Sequence, residues 1–231
     1  DAIARDALPR CDIRSARFVD SARHRSTDVP LAAGDLAVAS RTEFDGALLV
    51  AAARAGARVV RARVTDVARD AGGFAVHTGA GVMRARAIVG ADGANSLVRR
   101  RLARPLDRAD ISIATGYFVR GVTSDEIIIE LLADPPGYIW SFPRPTHLAV
   151  GICAQADAGV TVAALRARTL AWIRAMRLDT PGSGGLDAYS WPIPSLSARS
   201  ASALTASGPG WYLVGDAAGL VDPITREGIY F

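Results

Sequence analysis

Trp211-Tyr-Leu-Val-Gly-Asp-Ala-Ala-Gly-Leu-Val-Asp-Pro-Ile-Thr-Arg-Glu-Gly-Ile-Tyr-Phe231 is the stretch whose reading decides the fold. It reads as a short buried strand that stops at Gly215-Asp216, a turn of small residues through Ala217, Ala218 and Gly219, and a helix that starts near Glu227. Such a junction offers a ligand one carboxylate and several bare backbone amides. Asp216 is placed to accept from a sugar hydroxyl, the glycines permit close approach, and a helix opening at Glu227 directs its positive end at the same place. The arrangement suits a nucleotide.

Half of the 231 residues are apolar, enough for one large or two modest domains. No run approaches the ~18 consecutive apolar residues of a membrane-crossing helix. The 27 basic residues are all arginine and outweigh 23 acidic ones by a net +4. Lysine-free basicity matches the codon bias of a GC-rich genome, and a nucleic-acid footprint needs a broad basic stripe. The densest cluster, Arg99, Arg100, Arg101 and Arg104, reads instead as a solvated helix face, so no nucleic-acid partner is expected. Cys11 and Cys153 fit no metal or redox spacing and read as ordinary thiols of a reducing, cytoplasmic setting. His24, His77 and His147 have neither metal nor triad spacing. No metal site is expected, and no side chain is assigned as a catalytic group.

Working back from the C-terminal stretch, residues 13 to 40 alternate around Ile13, Phe18 and Val38 and suggest a ragged hairpin broken at Pro30 and Gly34. Thr42 and Asp45 have capping-box spacing, with Phe44, Ala47, Leu48, Ala51 and Ala55 on one face of a helix ending at Gly56. Strands are expected at 58–67, 74–78 and 83–89. The buried run Ala87-Ile-Val-Gly90 leads to Asp92-Gly93 and a helix opened by Asn95 or Ser96. A strand-to-helix turn of this kind can lay backbone amides along a pyrophosphate, although an Asp-Gly pair alone is usually only a turn. Longer β-runs follow at 111–120, 126–132, 138–142 and 148–153, then a helix over 162–176, a loop at 181–185, and a return through Trp191-Pro-Ile-Pro194. Tyr138, Trp140 and Phe142 alternate along one strand and share a face, as core aromatics or as a pocket wall.

Three segments carry a family resemblance. Gly215-Asp216-Ala-Ala-Gly219 with Asp222-Pro223 and Glu227-Gly228 resembles the second flavin-binding motif of the para-hydroxybenzoate-hydroxylase-like flavoproteins. Val89-Gly-Ala-Asp92-Gly93-Ala-Asn-Ser96-Leu-Val-Arg99 resembles their Asp-Gly motif, and Arg41-Thr-Glu-Phe44-Asp45-Gly-Ala-Leu48 their Arg-x-x-Phe-Asp-x-x-Leu helix, all in the family's order. Within that superfamily, Tyr138-Ile-Trp140-Ser-Phe142-Pro143, with the strand Leu148-Ala-Val-Gly-Ile and Ile193-Pro194 downstream, is similar to the geranylgeranyl reductases. Together these cover nearly the whole chain.

The resemblance implies a mixed α/β (α+β) fold: a Rossmann-like FAD-binding domain, incomplete, with an inserted antiparallel β-sheet substrate domain. The expected division is 1–105 for the partial FAD-binding domain with its β-meander, 106–200 for the substrate domain, and 201–231 for the return to FAD. The family's opening strand and Gly-x-Gly-x-x-Gly turn do not occur here, so the chain is expected to be an internal portion of a longer flavoprotein. Arg41, Asp92, Gly93, Gly215, Asp216, Ala217, Ala218, Gly219, Pro223, Glu227 and Gly228 are the implied FAD contacts. Arg226 stands where many relatives have Gly. Tyr138, Trp140 and Phe142 are the implied walls of an apolar pocket.

The implied activity is an FAD-dependent oxidoreductase reducing a C=C bond of an isoprenoid or other apolar lipid substrate, with peripheral membrane association left open. The electron donor, NAD(P)H or ferredoxin, and the oligomeric state are open too. The alternatives are an aromatic monooxygenase or a halogenase of the same fold, the latter disfavoured by the absence of lysine and of a Trp-x-Trp-x-Ile-Pro segment. A non-catalytic fragment unable to hold FAD is the alternative of another class.

Overall fold

The structure, a computed structural model, describes residues 8–179, 184–222 and 225–228. Strands β1 (Arg10–Asp12), β2 (Ser15–Asp20), β3 (Arg25–Pro30) and β4 (Ala37–Ala39) precede helix α1 (Arg41–Arg54). Strands β5 (Val64–Asp70), β6 (Gly73–Thr78), β7 (Gly81–Ala85) and β8 (Ile88–Gly90) lead to α2 (Leu97–Leu102). Four long strands, β9 (Ile111–Arg120), β10 (Glu126–Ala133), β11 (Pro136–Arg144) and β12 (His147–Gln155), run into α3 (Val162–Ala175). The last elements are β13 (Leu186–Pro194), α4 (Ala198–Ser202), β14 (Ser207–Gly208), β15 (Trp211–Leu213) and α5 (Gly215–Ala218). The chain forms two compact units, one of residues 1–59, 114–154 and 158–191 and one of residues 60–113, 155–157 and 192–231.

A seven-stranded sheet ordered β13-β9-β12-β11-β10-β2-β3 dominates the first unit. The expected hairpin within 13–40 is β2 and β3, paired antiparallel from Ser15↔Pro30 to Asp20↔Arg25. β2 joins the sheet as a parallel neighbour of β10, a long-range pairing that local pattern does not reveal. Pro192 and Pro194, expected in a connector, lie in β13, the sheet edge, where a strand tolerates residues without an N–H. Period-2 alternation divides the sheet into two faces. Ile128, Glu130, Ile139, Ser141, Leu148, Val150 and Ile152 are buried on one. Leu165, Thr169, Trp172 and Ile173 form the buried stripe of α3, at the helical spacing the sequence shows. The Trp172 indole N–H donates to the Glu130 carboxylate at 2.7 Å, both side chains being buried.

The helix α1 departs from expectation at its start. Ser40 is its N-cap and makes no side-chain capping bond, while Asp45 accepts from Arg41 instead of closing a box with Thr42. None of its residues is buried, and Phe44, Ala47 and Ala51 form its half-buried stripe.

In the second unit β5, β6 and β7 form the expected antiparallel meander, although its first strand begins only at Val64. The anticipated strand at 83–89 divides: β8 leaves the meander and pairs in parallel with β15, in register Ile88↔Trp211, Val89↔Tyr212 and Gly90↔Leu213. Behind this pair Val67, Phe74, Val98, Trp211, Leu213, Ala217 and Ala218 make one core. Gly90 is indispensable there, because a Cβ would meet Leu213 Cδ2 and Val98 Cβ at 2.7 Å. Among the described residues no helix is long and apolar enough to cross a membrane.

The Trp172–Glu130 pair yields a stability expectation. Trp172→Phe leaves a buried carboxylate without that donor and should cost about 1–3 kcal/mol in urea unfolding, whereas Glu130→Gln, which keeps an acceptor, should cost less. Equal loss in both variants would show that the hydrogen bond is not the stabilising element.

Candidate functional site

Parallel strands send their carboxyl ends to the same edge, where open α/β sheets place ligands. β8 and β15 do this with two glycine-aspartate turns. The ladder continues one residue past β15, Val214 N donating to Gly90 O at 3.0 Å, and then both chains leave the sheet. Asp92 and Gly93 follow on one side, Gly215 and Asp216 on the other. Gly93 (φ 76°) and Gly215 (φ 54°) both occupy the left-handed region, with nothing within 4 Å of a Cβ built on either, so backbone at both turns is open to approach.

The Asp92 carboxylate opens α2. Its Oδ1 accepts from Ser96 Oγ at 2.5 Å and its Oδ2 from the Leu97 and Val98 amides at 2.7 and 3.2 Å. Ser96 Oγ in turn accepts from Arg99 N at 2.9 Å, so Ser96, named beside Asn95 in the sequence reading, is the cap. Asp92 therefore shapes the turn and remains exposed at its surface.

Asp216 is the second residue of a single helical turn, α5, closed by Gly219 at φ 76°. Ala217 and Ala218 are 1% and 2% exposed and belong to the core behind the sheet. A Cβ on Gly219 would meet Leu196 Cδ1 at 2.8 Å and Leu204 Cδ1 at 3.0 Å. Gly219 is thus held to its size by the protein's own packing, and Ala217 and Ala218 are small residues of the core beside it. Gly228 returns to the same place, where a Cβ built on it would lie 3.1 Å from Asp216 Oδ1. The loop is held by Asp222, whose Oδ1 accepts from Thr225 N at 2.6 Å and whose N donates to Glu227 O at 3.0 Å. Glu227 and Gly228 lie in irregular backbone, and Pro223 and residues 229–231 lie outside the described residues. Arg41 belongs to the other unit, exposed and paired with Asp45 at 3.1 Å.

In that first unit Tyr138, Trp140 and Phe142 do share a face of β11, with ring centroids 5.4 Å apart for the first pair and 6.1 Å for the second. The strand opposite supplies small partners: Cys153 faces Tyr138, Gly151 faces Trp140 and Ala149 faces Phe142. A Cβ on Gly151 would collide with the Trp140 ring and the Tyr189 hydroxyl, so the glycine lets the two aromatics meet across β12. Trp140 hydrogen-bonds the Tyr189 hydroxyl, and burial raises the pKa of that phenol well above its ordinary value. Phe118 stacks on Tyr189 with centroids 4.7 Å apart and meets the His147 ring edge-on at 5.1 Å. Burial, with Arg120 and Arg144 nearby, holds the pKa of His147 below its usual value and so favours the neutral ring at neutral pH. On the other side of β11, Leu131 opposite Tyr138 is 62% exposed, extending the apolar face outward. Phe118, Tyr189 and Gly151 complete the aromatic wall; sequence reasoning did not single them out, because their strands become neighbours only in the sheet. Among the described residues no group of three or more His, Cys, Asp and Glu is arranged to hold a metal ion.

No protein-family model matches the chain. It is 34% identical over 208 residues to a digeranylgeranylglycerophospholipid reductase of Methanothrix thermoacetophila, covering 83% of this chain and 50% of that protein. It is 27% identical over 240 residues to a geranylgeranyl diphosphate reductase of Rhodobacter capsulatus, covering 98% of this chain and 58% of that one. Among solved structures, a geranylgeranyl bacteriochlorophyll reductase-like protein of Thermoplasma acidophilum superposes with a TM-score of 0.82 at 26% identity, over 98% of this chain and 60% of the other. The flavin-dependent brominase Bmp2, at 21% identity and a TM-score of 0.68 over 98% of this chain and 60% of its own, shares the fold alone. The chain spans about half the length of the relatives it matches. In sequence and in fold it is similar to geranylgeranyl reductases.

Proposed function

We propose that the protein of which this chain forms the described part is an FAD-dependent oxidoreductase that saturates a C=C bond of an isoprenoid or similarly apolar lipid. The observation that carries the flavin reading is the pair of glycine-aspartate turns leaving the adjacent parallel strands β8 and β15. Their residues fit a dinucleotide: open left-handed glycines at 93 and 215, a half-buried carboxylate at Asp216, and Gly228 beside it without a side chain. Asp216 would accept from ribityl or ribose hydroxyls, and the amides around Gly93 and Gly215 would face the pyrophosphate. Bound in its reduced form, the flavin would supply the hydride to one carbon, and a proton from water or a nearby side chain would complete the saturation at the other. The functional division proposed is 1–105 and 201–231 for FAD and 106–200 for substrate. NAD(P)H or ferredoxin would be the electron donor.

The lipid reading rests on the face of Tyr138, Trp140 and Phe142, with Tyr189 and Phe118 beside it and Gly151 beneath. Such a wall excludes water and orients a chain by contact alone, each buried methylene contributing about 0.8 kcal/mol. Burial keeps the Tyr189 phenol beside it in its neutral, protonated form. The names of the relatives, a phospholipid reductase and a diphosphate reductase, support the same substrate class.

Three outcomes are expected. The protein expressed from its complete gene should purify yellow, and Asp216→Ala should raise its Kd for FAD about 10- to 100-fold, the worth of a charge-assisted hydrogen bond of ~1.5–3 kcal/mol. Colourless protein yielding no FAD on denaturation would end the flavin reading. Chemically reduced holoenzyme should saturate a polyprenyl substrate without oxygen; product that forms only in air and carries label from O2 would move the protein to the oxygenases. Gly151→Val should push Trp140 off its seat and raise KM most for the longest prenyl chains, whereas an equal effect on every chain length would remove Trp140 from the substrate wall.

A further inference from the structure

Arg99 is among the largest fully buried side chains of the protein, 2% exposed, while its neighbours Arg100 and Arg101 stand in solvent. A guanidinium carried into a core loses its hydration and costs several kcal/mol unless its donors are met. Burial lowers its pKa, but arginine stays protonated in proteins, so the charge remains. Both recorded partners of the side chain are backbone carbonyls. Nε donates to Ala217 O at 2.6 Å, and Nη1 donates to Arg104 O at 3.2 Å. Nη2 is buried and has no hydrogen-bond partner among the described residues.

The two acceptors have a common character. Ala217 O belongs to the last turn of α5, where the Gly215 and Asp216 carbonyls already accept from Leu220 and Gly219 amides at 3.1 and 3.0 Å. Arg104 O lies just beyond the end of α2. Ala217 O, at the end of a helical turn, lacks an intrahelical donor and carries partial negative charge, and the Arg104 carbonyl, past the extended end of α2, adds a second dipole of the kind a buried cation requires. Held in this way, the arginine fixes main chain to main chain. On one side the Asp92 carboxylate and Ser96 hydroxyl set the first turn of α2, from which Arg99 projects. On the other side Ala217 immediately follows Asp216.

We infer that Arg99 is a positioning residue that holds the Asp92 turn and the Asp216 turn at a set spacing, through its bond from α2 to the Ala217 carbonyl. The clamp itself is independent of any ligand; only its consequence for FAD rests on the flavin reading. Lysine cannot replace it, because a single ammonium lacks the rigid planar fork that reaches two carbonyls in fixed directions. Methionine fills the volume and makes neither bond.

The test uses the protein expressed from its complete gene, with Arg99→Lys, Arg99→Met and the control Val98→Ala, a lesion of the same core that spares the clamp. In the absence of FAD, amide exchange at Gly219 and Leu220 should quicken about 10- to 100-fold in both Arg99 variants relative to Val98→Ala, as expected on losing a charge-assisted bond. Exchange no faster than in the control would overturn the inference. If one Arg99 variant does not fold, the other decides. With FAD, Arg99→Lys should raise the Kd about tenfold or more, and at saturating FAD the KM for substrate should be unchanged. An unchanged Kd alongside faster exchange would overturn the functional consequence. Wild-type protein that binds no FAD would end the flavin reading, and the exchange result would still decide the clamp.

Discussion

The parallel pairing of β8 with β15 is the constraint on which the rest of the second unit depends. Two three-residue strands more than a hundred positions apart in sequence align Gly90 with Leu213, and the alignment is possible only because residue 90 has no side chain. Everything of chemical interest in that unit is measured from this pair. The two aspartate turns leave from its ends, the core of Trp211, Leu213, Val98 and Phe74 lies behind it, and the Ala217-Ala218 segment belongs to that core. Parallel pairing needs a long crossover, and here the crossover is just over half the chain. The long strands from β9 to β13 can be inserted there without disturbing the turns.

The polar groups of the second unit are organised by priority. Asp92 is committed to the amides that open α2 and Ser96 to capping the same helix, while Arg99 is spent on carbonyls. These groups build the turn. What they leave open is backbone, presented by glycines whose positive φ values no ordinary side chain would favour. Recognition through fixed amides has the merit that little reorganisation is needed when an anionic group arrives.

The first unit follows a different logic. Its long strands are laid down by plain alternation, and α3 covers one face through Leu165, Trp172 and Ile173. The opposite face of β11 keeps its aromatics because β12 offers only Cys153, Gly151 and Ala149 against them. Large side chains on one strand and small ones on the next make a surface with relief, which suits an extended apolar chain better than a flat sheet would.

Much of this was legible in the sequence. The strands from 111 to 155 and the stripe of α3 follow from periodicities of 2 and 3.6, which are local properties of the chain, and the three motifs with the Tyr-x-Trp-x-Phe-Pro segment were enough to carry the resemblance to geranylgeranyl reductases. Pairing partners were beyond its reach. That 83–89 divides so that β8 can join β15, that β2 runs parallel to β10, and that Tyr189 and Phe118 complete the wall of Trp140 depend on contacts between distant segments, which periodicity does not encode. Arg99 shows the difference best. Within a run of arginines it reads as one more solvated charge, and only the fold turns that position inward to the Ala217 carbonyl; sequence determines which residues share a face of their own element, whereas burial is decided by what the rest of the chain packs against that face.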